Sequence, residues 1–173
     1  SLQLAKDAAN LKAEYIIFCG VHFMAETADI LTADNQKVIL PDMNAGCSMA
    51  DMANRVEIDR CWSYLTSHTS EKIIPITYIN CTALLKDFVG ANDGAICTSS
   101  NAKQLITWAL EQGEKLLFFP DQHLGRNTCY ELGISLDEMV VYNPNLQNGG
   151  LTPEQIQKAK VILWYGYCSV HQG

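Results

Sequence analysis

Short apolar runs alternate with amphipathic stretches along almost the whole chain. Leu4, Ala8 and Leu11 recur at helical spacing, and Tyr15-Ile16-Ile17-Phe18 follows as a brief apolar run closed by Cys19-Gly20. A run that short predicts a strand buried on both faces. Residues 23–31 read as helix and 37–41 as the next strand. A loop over 42–46 follows, then helical patterns over 49–54 and 56–66. The scheme then repeats. Strand patterns at 73–78, 94–97, 115–119, 138–142 and 161–164 are separated by helical ones at 82–88, 101–111, 124–132 and 152–160. Gly113 and Gly133 close two of these helices. Thr152-Pro153 opens another, as an N-cap followed by proline at the first helical position.

Strand-helix alternation at this spacing predicts right-handed crossovers and a parallel sheet with helices on its faces, an α/β fold. Ligands of such sheets bind beyond the carboxyl ends of the strands. Six segments in that position are rich in polar residues: Gly20-Val21-His22, Asp42 to Cys47, Tyr78 to Cys81, Thr98 to Asn101, Pro120 to His123, and Gly166 to His171. One such cluster is ordinary helix capping; six together point to a face that collects ligands.

Composition narrows the candidates. The 173 residues are 48% hydrophobic and 18% charged, so the chain is neither disordered nor fibrous. No apolar run approaches the roughly 18 residues of a membrane span. Twelve basic against nineteen acidic residues leave a net charge of −7, which argues against a nucleic-acid partner. An odd count of seven cysteines without a Cys-x-x-Cys pair fits neither a disulfide framework nor a zinc ribbon. Free or metal-bound thiols in a reducing cytoplasm are expected instead. The chain opens at Ser1, already in a helical pattern, and closes on a dense polar run. It reads as a piece of a longer protein.

The thiols differ by position. Cys19 and Cys97 end apolar strands, so core packing is expected for both, and Cys61 and Cys129 lie in helical patterns that make them core or semi-buried. Cys81 stands at a helix start, either as a packed thiol or as one activated by the helix dipole. Cys47 and Cys168 sit in glycine-containing loops, where thiolates have the freedom to converge on a common ligand. Spacing alone leaves both metal binding and plain loop thiols open. His171, three residues after Cys168, suits a proton-transfer or anion-holding role if it faces the same pocket, and is otherwise a solvated imidazole. Ser99 and Asn101 form an anion cradle or a simple N-cap. Arg126 either adds charge to its loop or pairs with Asp121. His22 is expected as a capping or supporting group. Neither Gly-x-Gly-x-x-Gly nor a P-loop occurs, which weakens a nucleotide-binding module without excluding one.

Several segments together resemble one family, the quinolinate synthases, which make the pyridine ring of NAD. They include Gly20-Val21-x-Phe23-Met24-Ala25-Glu26-Thr27-Ala28, Ala45-Gly46-Cys47-Ser48-Met49-Ala50-Asp51-Met52, Tyr78-Ile79-Asn80 and Thr98-Ser99-Ser100-Asn101-Ala102. Pro120-Asp121-Gln122-His123-Leu124-Gly125-Arg126-Asn127-Thr128 and Gly166-Tyr167-Cys168-Ser169-Val170-His171-Gln172 complete the order, with Ser1-Leu2-x-Leu4-Ala5 at the head. The resemblance implies three-layer α/β/α domains with parallel sheets, as part of a pseudo-threefold three-domain enzyme. Residues 1–45 would be the remainder of the first domain, 46–160 the second and 161–173 the start of the third.

It further implies a 4Fe–4S cluster held by one cysteine from each domain, with Cys47 and Cys168 as the first two. The reaction implied is condensation of iminoaspartate with dihydroxyacetone phosphate to quinolinate, with loss of phosphate and two waters. An iron without a protein ligand would serve as Lewis acid. By the same match Tyr78 is catalytic, and Ser1, Tyr78, Asn80, Ser99 and His171 contact substrate. The aspartate-oxidising enzyme would be a transient partner. The family's His-x-Tyr motif would precede Ser1. Its third cysteine would follow Gly173, so the 173 residues alone are expected to be inactive. The alternatives kept beside this reading are a non-catalytic truncated chain and an anion- or nucleotide-binding α/β module.

Overall fold

The computed structural model describes residues 2–168. Two parallel sheets are flanked by helices, so the fold is α/β. The smaller sheet pairs β1 (Tyr15–Ile17) with β2 (Lys37–Ile39), and α1 (Leu2–Ala9) and α2 (His22–Leu31) accompany it. Five strands form the larger sheet: β3 (Ile73–Tyr78), β4 (Ala95–Cys97), β5 (Lys115–Phe119), β6 (Met139–Tyr142) and β7 (Val161–Trp164). Their order is β4-β3-β5-β7-β6, and every pairing is parallel. The helices that connect them are α3 (Arg55–His68), α4 (Ala83–Ala91), α5 (Ala102–Gln112), α6 (Gln122–Glu131) and α7 (Pro153–Lys158).

The pleat divides the core of the larger sheet into two layers. Side chains alternate along a strand, so Leu116 and Phe118 of β5 and Val161 and Leu163 of β7 meet Ile106 of α5 and Leu124 of α6. Leu117, Phe119, Ile162 and Trp164 point the other way, into a core shared with Ile58 and Leu65 of α3, Leu85 and Phe88 of α4 and Ile156 of α7. Covering both faces gives β5 its unbroken apolar sequence. Val161–Trp164, placed above at the head of a third unit, is hydrogen-bonded between β5 and β6. The crossover through α7 returns the chain to this sheet, which brings the Cys168 segment to its carboxyl edge.

The smaller sheet departs from expectation. Only Ile16 of β1 is buried, while Tyr15 is 62% and Ile17 67% exposed. Ile16, Ala5, Ala8 and Ala28 form a small core on one face, and the other face has no cover among the described residues. Cys19, expected in the core, is exposed for the same reason. The helix expected over 49–54 shrinks to a single 3-10 turn, Ala50–Met52. Asn54 explains the stop. Its side chain accepts the Glu57 N–H as cap of α3, and a cap residue holds an extended backbone that a preceding helix cannot share. At α7 the expected Thr152 cap is present, completed into a capping box by Gln155.

Candidate functional site

The carboxyl ends of β3, β4, β5 and β7 gather the polar residues. Tyr78 ends β3 half-buried, and its side chain is hydrogen-bonded to Ser99 in the turn after β4. Burial pushes the phenol above its ordinary pKa. Cys168, Cys97 and Asp121 lie near enough to push it further, and the Ser99 hydrogen bond pulls it back. A phenol so placed stays protonated at neutral pH and is available as a hydrogen-bond or proton donor. Asn80 is half-buried two residues on, and Ser99 is exposed at the mouth. The structure thus joins Tyr78 and Ser99, which the sequence places far apart, with Cys168 close enough to act on the phenol through space.

Asp121 is fully buried, and its carboxylate caps α6 by accepting the N–H groups of His123 (2.8 Å) and Leu124 (3.2 Å). The next turn carries the Cys168 segment: Gln122 N–H donates to Gly166 O at 2.9 Å. A side chain at Gly166 is impossible here, because its Cβ would stand 2.0 Å from the Pro120 carbonyl oxygen. Glycine therefore lets the chain leave β7 pressed against the β5–α6 turn. Arg126 reaches Gln122 Oε1 at 3.1 Å. Asn101 does not serve as a free cradle, since its Oδ1 already accepts the Thr98 N–H (2.6 Å) and hydroxyl (2.9 Å).

Cys47 lies half-buried in the loop after β2. His22 N–H donates to Ala45 O at 2.7 Å, and Asp51 N–H to Cys47 O at 3.2 Å, so both sides of the loop are tied. A cavity of about 230 Å³ opens beside the thiol, bounded by His22, Glu26, Asp51 and Thr82. His22 Nε2 stands 3.8 Å from the Glu26 carboxylate. Glu26 also accepts the Ala83 N–H at the start of α4 (2.9 Å), which links the smaller sheet's helix to the larger sheet. Asp51 lines a second cavity as well, of about 330 Å³, together with Glu57, Tyr165 and Tyr167. Glu26 and Asp51 were not singled out from sequence. Glu26 carried a signal, one helical turn after His22, but a carboxylate there reads equally as a solvated face.

Four of the five remaining thiols separate from this pair, and Cys19 is exposed as well. Cys61, Cys81, Cys97 and Cys129 are fully buried, and burial pushes every one of them up, Cys97 and Cys129 to about 12. Cys81 is not activated by its helix start. Lys86 Nζ donates to its carbonyl at 2.5 Å in a buried pocket that lowers the lysine's own pKa, and desolvation of the Cys81 thiol outweighs the pull of the Lys86 charge. Among the described residues no three His, Cys, Asp or Glu side chains gather closely enough to hold a metal ion. Two accessible thiols on loops fit as part of a cluster's ligand set, not the whole of it. Ser1 and His171 lie outside the described residues.

An α/β domain with loop thiols and a half-buried phenol at the carboxyl ends of its strands belongs to the class of parallel-sheet proteins that place chemistry at that edge. The chain belongs to the family described as Quinolinate synthetase A protein, which it matches over residues 1–173. It is 61% identical over 173 residues to a quinolinate synthase of a Geobacillus species, covering 99% of this chain and 47% of that one. Against the quinolinate synthase of Streptomyces coelicolor identity is 58% over 174 residues, covering 99% of this chain and 44% of the relative. Against that of Corynebacterium glutamicum it is 55%, with the same two shares. The chain thus spans about half the length of these relatives. No helix among the described residues is long and apolar enough to cross a membrane.

Proposed function

We propose that these residues form part of a quinolinate synthase, condensing iminoaspartate with dihydroxyacetone phosphate to quinolinate in the NAD pathway. The observation that carries this reading is the division of the thiols. Cys47 and Cys168 stay half-exposed on loops within the segments that resemble the family, Cys19 is exposed just outside such a segment, and the four others are sealed in the core. In this reading Cys47 and Cys168 are two thiolate ligands of a 4Fe–4S cluster, and the third belongs to the part of the protein beyond these residues. Such a cluster supplies Lewis acidity toward substrate oxygens when one iron lacks a protein ligand.

The chain's own residues supply the rest. Tyr78, held protonated by burial and oriented by its hydrogen bond with Ser99, donates a hydrogen bond or proton to a substrate oxygen as ring closure builds charge there. Asn80 and Ser99 hold polar substrate groups at the mouth, and Ser1 and His171 are assigned to the same task. The site is expected to work in the cytoplasm, with an aspartate-oxidising enzyme delivering iminoaspartate as a transient partner.

The test uses the full-length protein, reconstituted without oxygen. Cys47→Ala and Cys168→Ala are each expected to lose most of the bound iron and sulfide and to form no measurable quinolinate. Full iron content and activity in either variant would sink the ligand assignment.

A further inference from the structure

We propose that Trp164 is a positioning residue that sets the separation of Cys47 and Cys168, an inference that rests on the ligand assignment above. The two cysteines are far apart in sequence, on different sheets and in irregular loops. Something must hold the loops in register if both thiols are to reach one cluster. Trp164 ends β7, four residues before Cys168, and is fully buried. Its indole Nε1–H donates to the Met52 carbonyl at 2.7 Å. Met52 closes the 3-10 turn that begins just after Cys47, and that turn is tied to Cys47 by the Asp51 N–H to Cys47 O bond. One side chain therefore joins the strand leading to one thiol with the turn leaving the other.

The Trp164 end of this link is closely packed. The indole is stacked on Tyr142 (centroids 5.7 Å apart, planes at 21°) and packed against Phe119 (5.2 Å). Beyond it, Gly166 N–H bonds back to Trp164 O at 2.8 Å, and the Gly166 carbonyl accepts from Gln122 N–H. The chain is thus tied as far as Gly166, two residues before Cys168. A buried ring of this size serves packing without a polar atom, so an indole is required here only for its N–H. Phenylalanine would keep most of the stack and leave the Met52 carbonyl without its partner.

The full-length holoenzyme provides the test. Trp164→Phe is compared with Ile162→Ala, which cuts into the same core from the same strand without touching the Met52 bond. The readouts are the rate of cluster loss to a ferrous chelator, the electron paramagnetic resonance spectrum of the reduced cluster, and the melting temperature. Trp164→Phe is expected to lose its cluster roughly three to ten times faster than wild type, as one lost hydrogen bond predicts, with an altered spectrum. Ile162→Ala is expected to lower the melting temperature at least as far while keeping wild-type release and spectrum. A wild-type release rate in Trp164→Phe overturns the proposal. So does equal acceleration in Ile162→Ala, which would mark a merely structural role. Retention of a full cluster by Cys47→Ala would instead overturn the ligand assignment itself, and the Trp164 proposal with it.

Discussion

Cys61, Cys81, Cys97 and Cys129 have no exposed surface, and burial raises the pKa of each thiol. Thiolate is the reactive form, so exposure and pKa act in the same direction on reactivity. Native, cluster-free protein treated briefly with iodoacetamide at neutral pH is expected to be alkylated at Cys19, Cys47 and Cys168. The four buried cysteines should react only after unfolding. Peptide mass spectrometry reads the order, and rapid labelling of Cys81 would contradict its burial. At this scale sequence reached Cys47 and Cys168 through their glycine-containing loops. It misplaced Cys19, because an apolar run does not say whether anything lies over the strand. Cys81 was undecided for a related reason: a helix start says nothing of how deeply the thiol is buried, and only the packing around it makes desolvation the larger effect.

Between elements, Lys115 is the main buried charge of the larger sheet at the end opposite the site. It begins β5 only 3% exposed, and its ammonium donates to Gln157 O (2.8 Å) and Ala159 O (2.6 Å) at the close of α7. These are carbonyls that a helix end leaves without partners, so the lysine acts as a C-terminal cap from another element. Glu71, just before β3, completes the arrangement at 2.7 Å. Its hydrogen bond to Lys115, followed by the charge of the same lysine, holds the Glu71 carboxyl below its ordinary range. A lowered folded-state pKa contributes stability above the unfolded value and loses it as pH falls through the folded one. Melting temperatures measured from about pH 6 down to about pH 3 are expected to fall less steeply in Glu71→Gln than in wild type. Parallel acid limbs would show that the pair carries no linkage. The strand-helix order was legible here because buried strands need apolar runs and helices need caps. The Lys115 contacts were not, since a lone lysine at a strand start reads as solvated until α7 is packed beside it.

Across the molecule the two sheets differ in cover. Both faces of the larger sheet are buried, but Tyr15, Ile17 and Ile39 leave an apolar face on the smaller one. Burying one such side chain stabilises by roughly 1.5–3 kcal/mol. Three together rival the low end of the several kcal/mol that association costs. The 173 residues expressed alone are therefore expected to self-associate weakly, at roughly millimolar concentration. Ile17→Lys should shift the chain toward monomer in size-exclusion chromatography with light scattering. An unchanged monomer in both would mean that this face is not sticky.

The apolar runs, caps and glycine-closed helices determined by themselves that the chain folds as parallel strands with helical crossovers, because those signals are local and repeat at short spacing. They also determined that polar residues collect after the strands. The tertiary structure alone decided which of those residues meet. Tyr78 reaches Ser99, Asn101 turns back to Thr98, and Trp164 reaches across to Met52. Strand order and the depth of burial bring such partners together across long stretches of chain, and neither is written in any local pattern.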